Sequence, residues 1–165
     1  MKRVYLDNNV LSAMGKDDMP AQEASPISII SAIFDAGEVI LYTSEVTMEV
    51  LNKWQGDKKP KVLWHYQRLP KVPYIERQEL QGFQTYTDRL TFLAWPMIED
   101  HPDWSTLRAM GLETHDAHHL MVAIVNGCNV FLTCDKGDFC PSRARIEQEY
   151  PQIQIMWPSE ALYRL

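Results

Sequence analysis

The sequence predicts an α/β sandwich around a mainly parallel sheet of four or five short strands. Two observations carry this. Short apolar, β-prone runs at 2–6, 39–42, 130–132 and 153–157 alternate with stretches whose apolar residues recur at helical spacing. Glycines stand where such helices should stop: Gly37 closes one and Gly127 another, each just before a strand-like run. With 165 residues, 45% hydrophobic and 23% charged, residues 1–165 read as a single domain with a core of its own.

The first run ends at Asp7-Asn8-Asn9, with a short helix expected over 10–14 and a polar loop over 15–24. Ser25-Pro26 reads as a helix opening, serine as N-cap and proline at the first helical position. Ile27, Ile30, Ile33 and Phe34 then give that helix an apolar face. After the strand at 39–42, Thr43-Ser44 should cap a helix over 45–54, with Val46, Val50 and Leu51 toward the core. A further helix is expected over 60–69. The proline in Val72-Pro73-Tyr74-Ile75 demotes that run to a weak strand or extended link. A helix is predicted over 79–93 and a loop rich in proline and tryptophan over 94–105.

The chain is organised around 114–139. Ala117, Leu120, Ala123 and Ile124 fall on one helical face, Thr114 suits the N-cap, and Asp116 sits in the first turn, where the helix dipole favours negative charge. Gly127 suits the left-handed residue that ends the helix, and Val130-Phe131-Leu132 is a short buried strand. Asp135 and Asp138 follow at its carboxyl end, the edge of a parallel sheet where ligands bind. A helix over 142–148 and a last strand ended by Pro158 complete the order.

Composition narrows the function. No apolar run approaches the roughly 20 residues of a membrane span, and Met1 to Asp7 does not read as a signal peptide. Three cysteines, Cys128, Cys134 and Cys140, form no C-x-x-C pair, so free thiols in a reducing cytoplasm are expected. A net charge of −6 speaks against a general nucleic-acid binder. The cations are concentrated, however. Lys53, Lys58, Lys59, Lys61, Arg68 and Lys71 face only Asp57 in their stretch, and Trp54, Trp64 and Tyr66 lie among them. Cations beside stacking rings suit single-stranded RNA; the plainer reading is a solvated helix with its rings in the core or a dimer interface.

Acids at comparable places carry the chemistry. Asp7 ends one strand, Asp135 and Asp138 follow another, and Asp116 and Glu49 sit on helices that can face the same edge. Oxygen donors of this kind suit Mg²⁺ or Mn²⁺ and phosphoryl chemistry. In this order, Val4-Tyr5-Leu6-Asp7-Asn8-Asn9, Ser44-Glu45-Val46-Thr47-Met48-Glu49, His115-Asp116-Ala117 and Leu132-Thr133-Cys134-Asp135-Lys136-Gly137-Asp138 resemble a PIN-domain nuclease. The closing Ile155-Met156-Trp157-Pro158 resembles that family's last strand and tail.

The resemblance implies a PIN-like three-layer α/β/α sandwich and a Mg²⁺- or Mn²⁺-dependent endoribonuclease. Carried over by position, Asp7, Glu49, Asp116 and Asp135 match its acidic quartet, and Asp138 an additional metal-binding acid. Thr133 matches a hydroxyl that often lines the site, and Asn8 departs from the pattern by standing where the family often has Thr or Ser, which still leaves a hydrogen-bonding side chain there. The partners it implies are RNA, a small antitoxin protein if the chain is a toxin, and a second copy in a homodimer. Lys53, Lys58, Lys59, Lys61 and Arg68 are the candidate RNA contacts.

Other classes fit less of the sequence. His115 and His119 are four apart, as a zinc pair would be, without a third ligand motif. His115-Asp116 is similar to the HD phosphohydrolases, which lack strands such as those read here. A haloacid dehalogenase-type phosphatase would use Asp7, with an acid at the position of Asn9. A non-catalytic PIN-like binding module keeps the fold without the reaction.

Overall fold

The computed structural model describes residues 1–16, 21–73 and 101–165. Four strands, β1 (Arg3–Leu6), β2 (Ile40–Tyr42), β3 (Val130–Leu132) and β4 (Gln154–Met156), form one sheet in the order β2-β1-β3-β4. Every pairing is parallel, with Val4 opposite both Leu41 and Val130, and Phe131 opposite Ile155. A bridge between Thr43 and Lys71 extends the β2 edge by one residue pair. The expected weak strand therefore begins at Lys71, and its Tyr74 and Ile75 lie outside the described residues.

The described helices are α1 (Asn8–Lys16), α2 (Ala21–Asp35), α3 (Glu45–Lys53), α4 (Lys59–Arg68), α5 (Pro102–Ala109), α6 (Thr114–Val125), α7 (Lys136–Phe139), α8 (Arg143–Glu149) and α9 (Pro158–Ala161). They cover both faces of the sheet because side chains alternate along each strand. Tyr5, Phe131 and Ile155 point into a core with α5, α6 and α8. Val4, Leu6, Leu41, Val130, Leu132 and Met156 point into the other, with α1, α2, α4 and α9. The result is the three-layer α/β/α sandwich expected.

Three local readings need correction. The loop expected over 15–24 is helical on both sides of its undescribed centre: α1 runs to Lys16 and α2 starts at Ala21. Pro26 is thus inside α2 and not at its start. A tertiary tie holds the turn before it: the buried Glu23 carboxylate accepts from the Ser159 backbone N–H (3.0 Å) and from Lys136 Nζ (3.0 Å). The loop expected over 94–105 gives way at its end to α5, where Pro102 takes the first helical position. His101 caps that helix, its Nδ1 accepting from Asp103 N–H at 3.3 Å. At α6 the N-cap is Glu113, and Thr114 is the first helical residue. The predicted helix over 79–93 lies outside the described residues.

Two glycines are required. Gly127, at φ 64°, ends α6 in the left-handed region. Gly15 lets α1 lie against α4, since a Cβ there would meet Val62 Cγ2 at 2.5 Å and its backbone nitrogen at 2.8 Å.

Candidate active site

The strand order fixes where a site can form. The chain leaves β1 for β2 on one side and later returns to lay β3 on the other, so the carboxyl ends of β1 and β3 flank the point where the winding reverses. In open parallel sheets that crevice binds ligands. Asp7 directly follows β1, and its N–H donates to Leu132 O at 3.0 Å, stitching the two strand ends together.

Asp7 is 3% exposed. Its Oδ1 accepts from the Asn8 N–H (2.6 Å) and its Oδ2 from Thr133 Oγ1 (2.7 Å). Burial pushes its carboxyl up to about 6, and the charge of Asp135 adds to this; the hydrogen bonds from Thr133, Asn8 and Asn9 oppose it. Thr133 is itself fully buried. Having given its one proton to Asp7, its oxygen accepts from Asn9 Nδ2 (3.2 Å) and from Asp135 N–H (3.0 Å). One hydroxyl therefore sets the distance between the two strand-end aspartates.

Asp135 occupies the N-cap of α7, and its Oδ1 accepts from Asp138 N–H at 3.1 Å. Asp138 is exposed, and its carboxyl is raised first by the charge of Asp135. Its side chain also lies within hydrogen-bonding reach of Asp116. Asp116, in the first turn of α6, is half-buried and raised from 3.8 to about 7, first by burial and then by the charges of Asp7, Asp138, Asp135 and Glu113. Asp7, Asp116, Asp135 and Asp138 thus come together from three parts of the chain.

Glu49 is exposed on α3, and among the described residues no hydrogen bond or ion pair ties it to the other acids. Asn8 supports Asp7 through its backbone and not through its side chain, whose Oδ1 is buried without a hydrogen-bond partner among the described residues. The polar side chain that does span the site is Asn9, which bonds Thr133 through Nδ2 and accepts from Cys134 N–H at 2.9 Å through Oδ1. Sequence reading did not single it out for the site. An amide two positions after a strand-end acid, in the first turn of a helix leaving a sheet edge, was the available signal. Glu113, three residues before Asp116, is a second acid that reading passed over.

Behind the acids lies a buried polar chain. Tyr5 Oη stands 2.7 Å from Ser44 Oγ and 2.8 Å from His119 Nδ1. Burial holds His119 down to about 3, so the imidazole is neutral. His115, by contrast, is exposed, so the two histidines do not present a common pair of ligands. The Ser44 hydroxyl, engaged by Tyr5, does not cap α3.

The cationic stretch is partly engaged by the chain itself. Lys59 Nζ donates to Trp54 O (3.0 Å), Lys58 Nζ to Lys16 O, and Arg68 pairs with Asp35 while lying 4.4 Å over the Trp64 ring. Lys53 and Lys61 are exposed, as is Trp64 at 53%, whereas Tyr66 is buried and offers no ring for stacking.

The donor set fits a hard divalent cation in kind: carboxylate oxygens, two of them on groups pushed up by burial and neighbouring negative charge. In this conformation no three His, Cys, Asp or Glu side chains among the described residues lie close enough to hold one. No family model, curated protein or solved structure matches the chain.

Proposed function

We propose that the protein is a Mg²⁺- or Mn²⁺-dependent endoribonuclease of the PIN type, acting on single-stranded RNA. One observation supports the reading: at the crevice where the parallel sheet reverses its winding, Asp7 and Asp135 share the Thr133 hydroxyl, and the charges of Asp7, Asp135 and Asp138 reach Asp116 and raise its carboxyl. Asp7, Asp116 and Asp135 would hold the cation, with Asp138 at the outer edge. A cation bound there supplies a more acidic water, orients the phosphodiester and offsets charge on the departing oxygen.

The chain's own residues do the positioning. Thr133 and the Asn8 N–H fix the Asp7 carboxylate so that it does not swing away from the edge. Asn9 locks the ends of β1 and β3 together, and Asp135 sits on a short helix whose first turn it caps. Glu49, exposed on α3, would complete the acidic set. A toxin role with a small antitoxin, a homodimer and a cytoplasmic site of action belong to the same reading.

The test is direct. Purified protein should cleave single-stranded RNA on addition of Mn²⁺, EDTA should stop it, and Asp135→Asn should abolish it. Cleavage that survives EDTA or Asp135→Asn sinks the metal mechanism.

A further inference from the structure

A second concave feature adjoins the acids. A pocket of about 300 Å³ lies between α1 and α3, floored by Leu11, Val50, Leu51 and Trp54. Asn8, Asn9, Ser12 and the buried Thr47 are its polar lining residues, and Lys16, also in the lining, has its Nζ 4.3 Å over the Trp54 ring. The volume is at the low end for small-molecule sites, enough for one planar ring system. Apolar walls that take the faces of a ring, and polar groups that meet its edges, are what a heteroaromatic base requires. The amide oxygen of Asn8, one of these lining residues, is buried with no hydrogen-bond partner among the described residues. A buried acceptor left so is unfavourable until a donor reaches it.

Position decides between occupants. The first turn of α1 is a wall shared by pocket and acids: Asn8 donates to Asp7, and Asn9 bonds Thr133 and Cys134. A strand with its phosphate at the acids would therefore bring a neighbouring base to the pocket mouth. We propose that this pocket seats one nucleobase of the single-stranded RNA, next to the phosphodiester that is cleaved. The phosphate's placement rests on the nuclease reading above, whereas the affinity for a base does not.

The experiment uses the full chain, ¹⁵N-labelled and free of metal, with nucleosides that carry no phosphate. Millimolar adenosine or cytidine should shift the Trp54 indole N–H signal and the backbone signals of Ser12 and Thr47, and ribose alone should not. Ser12→Phe, which fills the pocket, should remove these shifts. Trp54→Leu, followed at Ser12 and Thr47, should weaken nucleoside binding by roughly tenfold. The dispersion of each spectrum reports whether the variant has folded. Absence of shifts with either nucleoside, equal shifts with ribose, or shifts that survive both variants would overturn the proposal and leave the groove to a protein side chain. RNA cleavage with Mn²⁺ separates the two readings. Nucleoside shifts without cleavage sink the nuclease and keep the pocket. Cleavage without nucleoside shifts does the reverse.

Discussion

Replacing Asp116 by asparagine should raise the melting temperature of the metal-free protein at about pH 8 and change little at about pH 4. The carboxyl stands at about 7 in the folded chain against an ordinary 3.8, held there first by burial and then by Asp7, Asp138 and Asp135. Because the folded value lies above the unfolded one, the group is harmless below 3.8, its penalty grows as pH rises, and the penalty is complete once pH passes about 7. Unscreened, a move from 3.8 to about 7 amounts to ~4 kcal/mol, at ~1.36 kcal/mol per pH unit. Asp116 is only half-buried, and solvent screening brings this to about 2 kcal/mol. Against it stands the favourable charge at the α6 N-terminus, ~0.3–1 kcal/mol, which asparagine forfeits. The balance is a gain of about 1 kcal/mol, or roughly 2–4 °C for a chain of this size. Circular dichroism melts of both proteins at the two pH values check it. The same variant should respond less to Mn²⁺; native-state binding at a hundredfold excess over Kd adds about 2.7 kcal/mol to the wild type. A variant that melts at or below the wild type near pH 8 refutes the stored repulsion. An undiminished Mn²⁺ response removes Asp116 from the site.

Two further perturbations probe the scaffold. Gly15→Ala drives a methyl against Val62, two of whose three nearest atoms are backbone, so α1 and α4 must part; a loss of about 1–3 kcal/mol or more is expected in urea unfolding, and an unchanged midpoint would contradict the packing. Thr133→Val keeps the shape but removes the donor to Asp7 and the acceptor for Asn9 and Asp135. It should lose roughly 1–3 kcal/mol and weaken Mn²⁺ binding in calorimetry, and wild-type values for both would show that the hydroxyl does not set the site.

The fold was legible because its elements are strongly patterned. Val130-Phe131-Leu132 is buried on both faces, and the α6 stripe of Ala117, Leu120 and Ala123 is fully buried, so periodicity and burial agree. What stayed hidden depends on partners distant in sequence. Nothing local to Pro26 announces that Glu23 is tied to Ser159 and Lys136, which holds a helical turn ahead of the proline. The proline and tryptophan of α5 suggested a loop, although Pro102 after His101 is a helix start. Among the site residues, Asp7, Asp116, Asp135 and Asp138 could be read from their places at strand ends and in a first helical turn. Asn9 stood in a suggestive place, two positions after a strand-end acid, but its role is a pair of hydrogen bonds to residues more than a hundred positions away, which that place does not reveal. The pocket needed two helices side by side, α1 and α3, and no single stretch encodes it.

Asp7 can serve as a ligand or as a nucleophile, and its surroundings argue for the first. A phosphoryl-accepting aspartate needs an oxygen turned to the substrate and an acid nearby to protonate the leaving group. Both Asp7 oxygens are held, one by the Asn8 N–H and one by Thr133. The residue two positions on is Asn9, whose amide is committed to Thr133 and Cys134 and carries no acidic proton. Around Asp7 there is instead more negative charge, from Asp135. Two unit charges about 4 Å apart repel by roughly 4 kcal/mol at an effective dielectric near 20. An incoming phosphate would add to that repulsion unless a cation had bound first. The same neighbours that make Asp7 a poor phosphoryl acceptor therefore favour it as an anchor for a divalent ion.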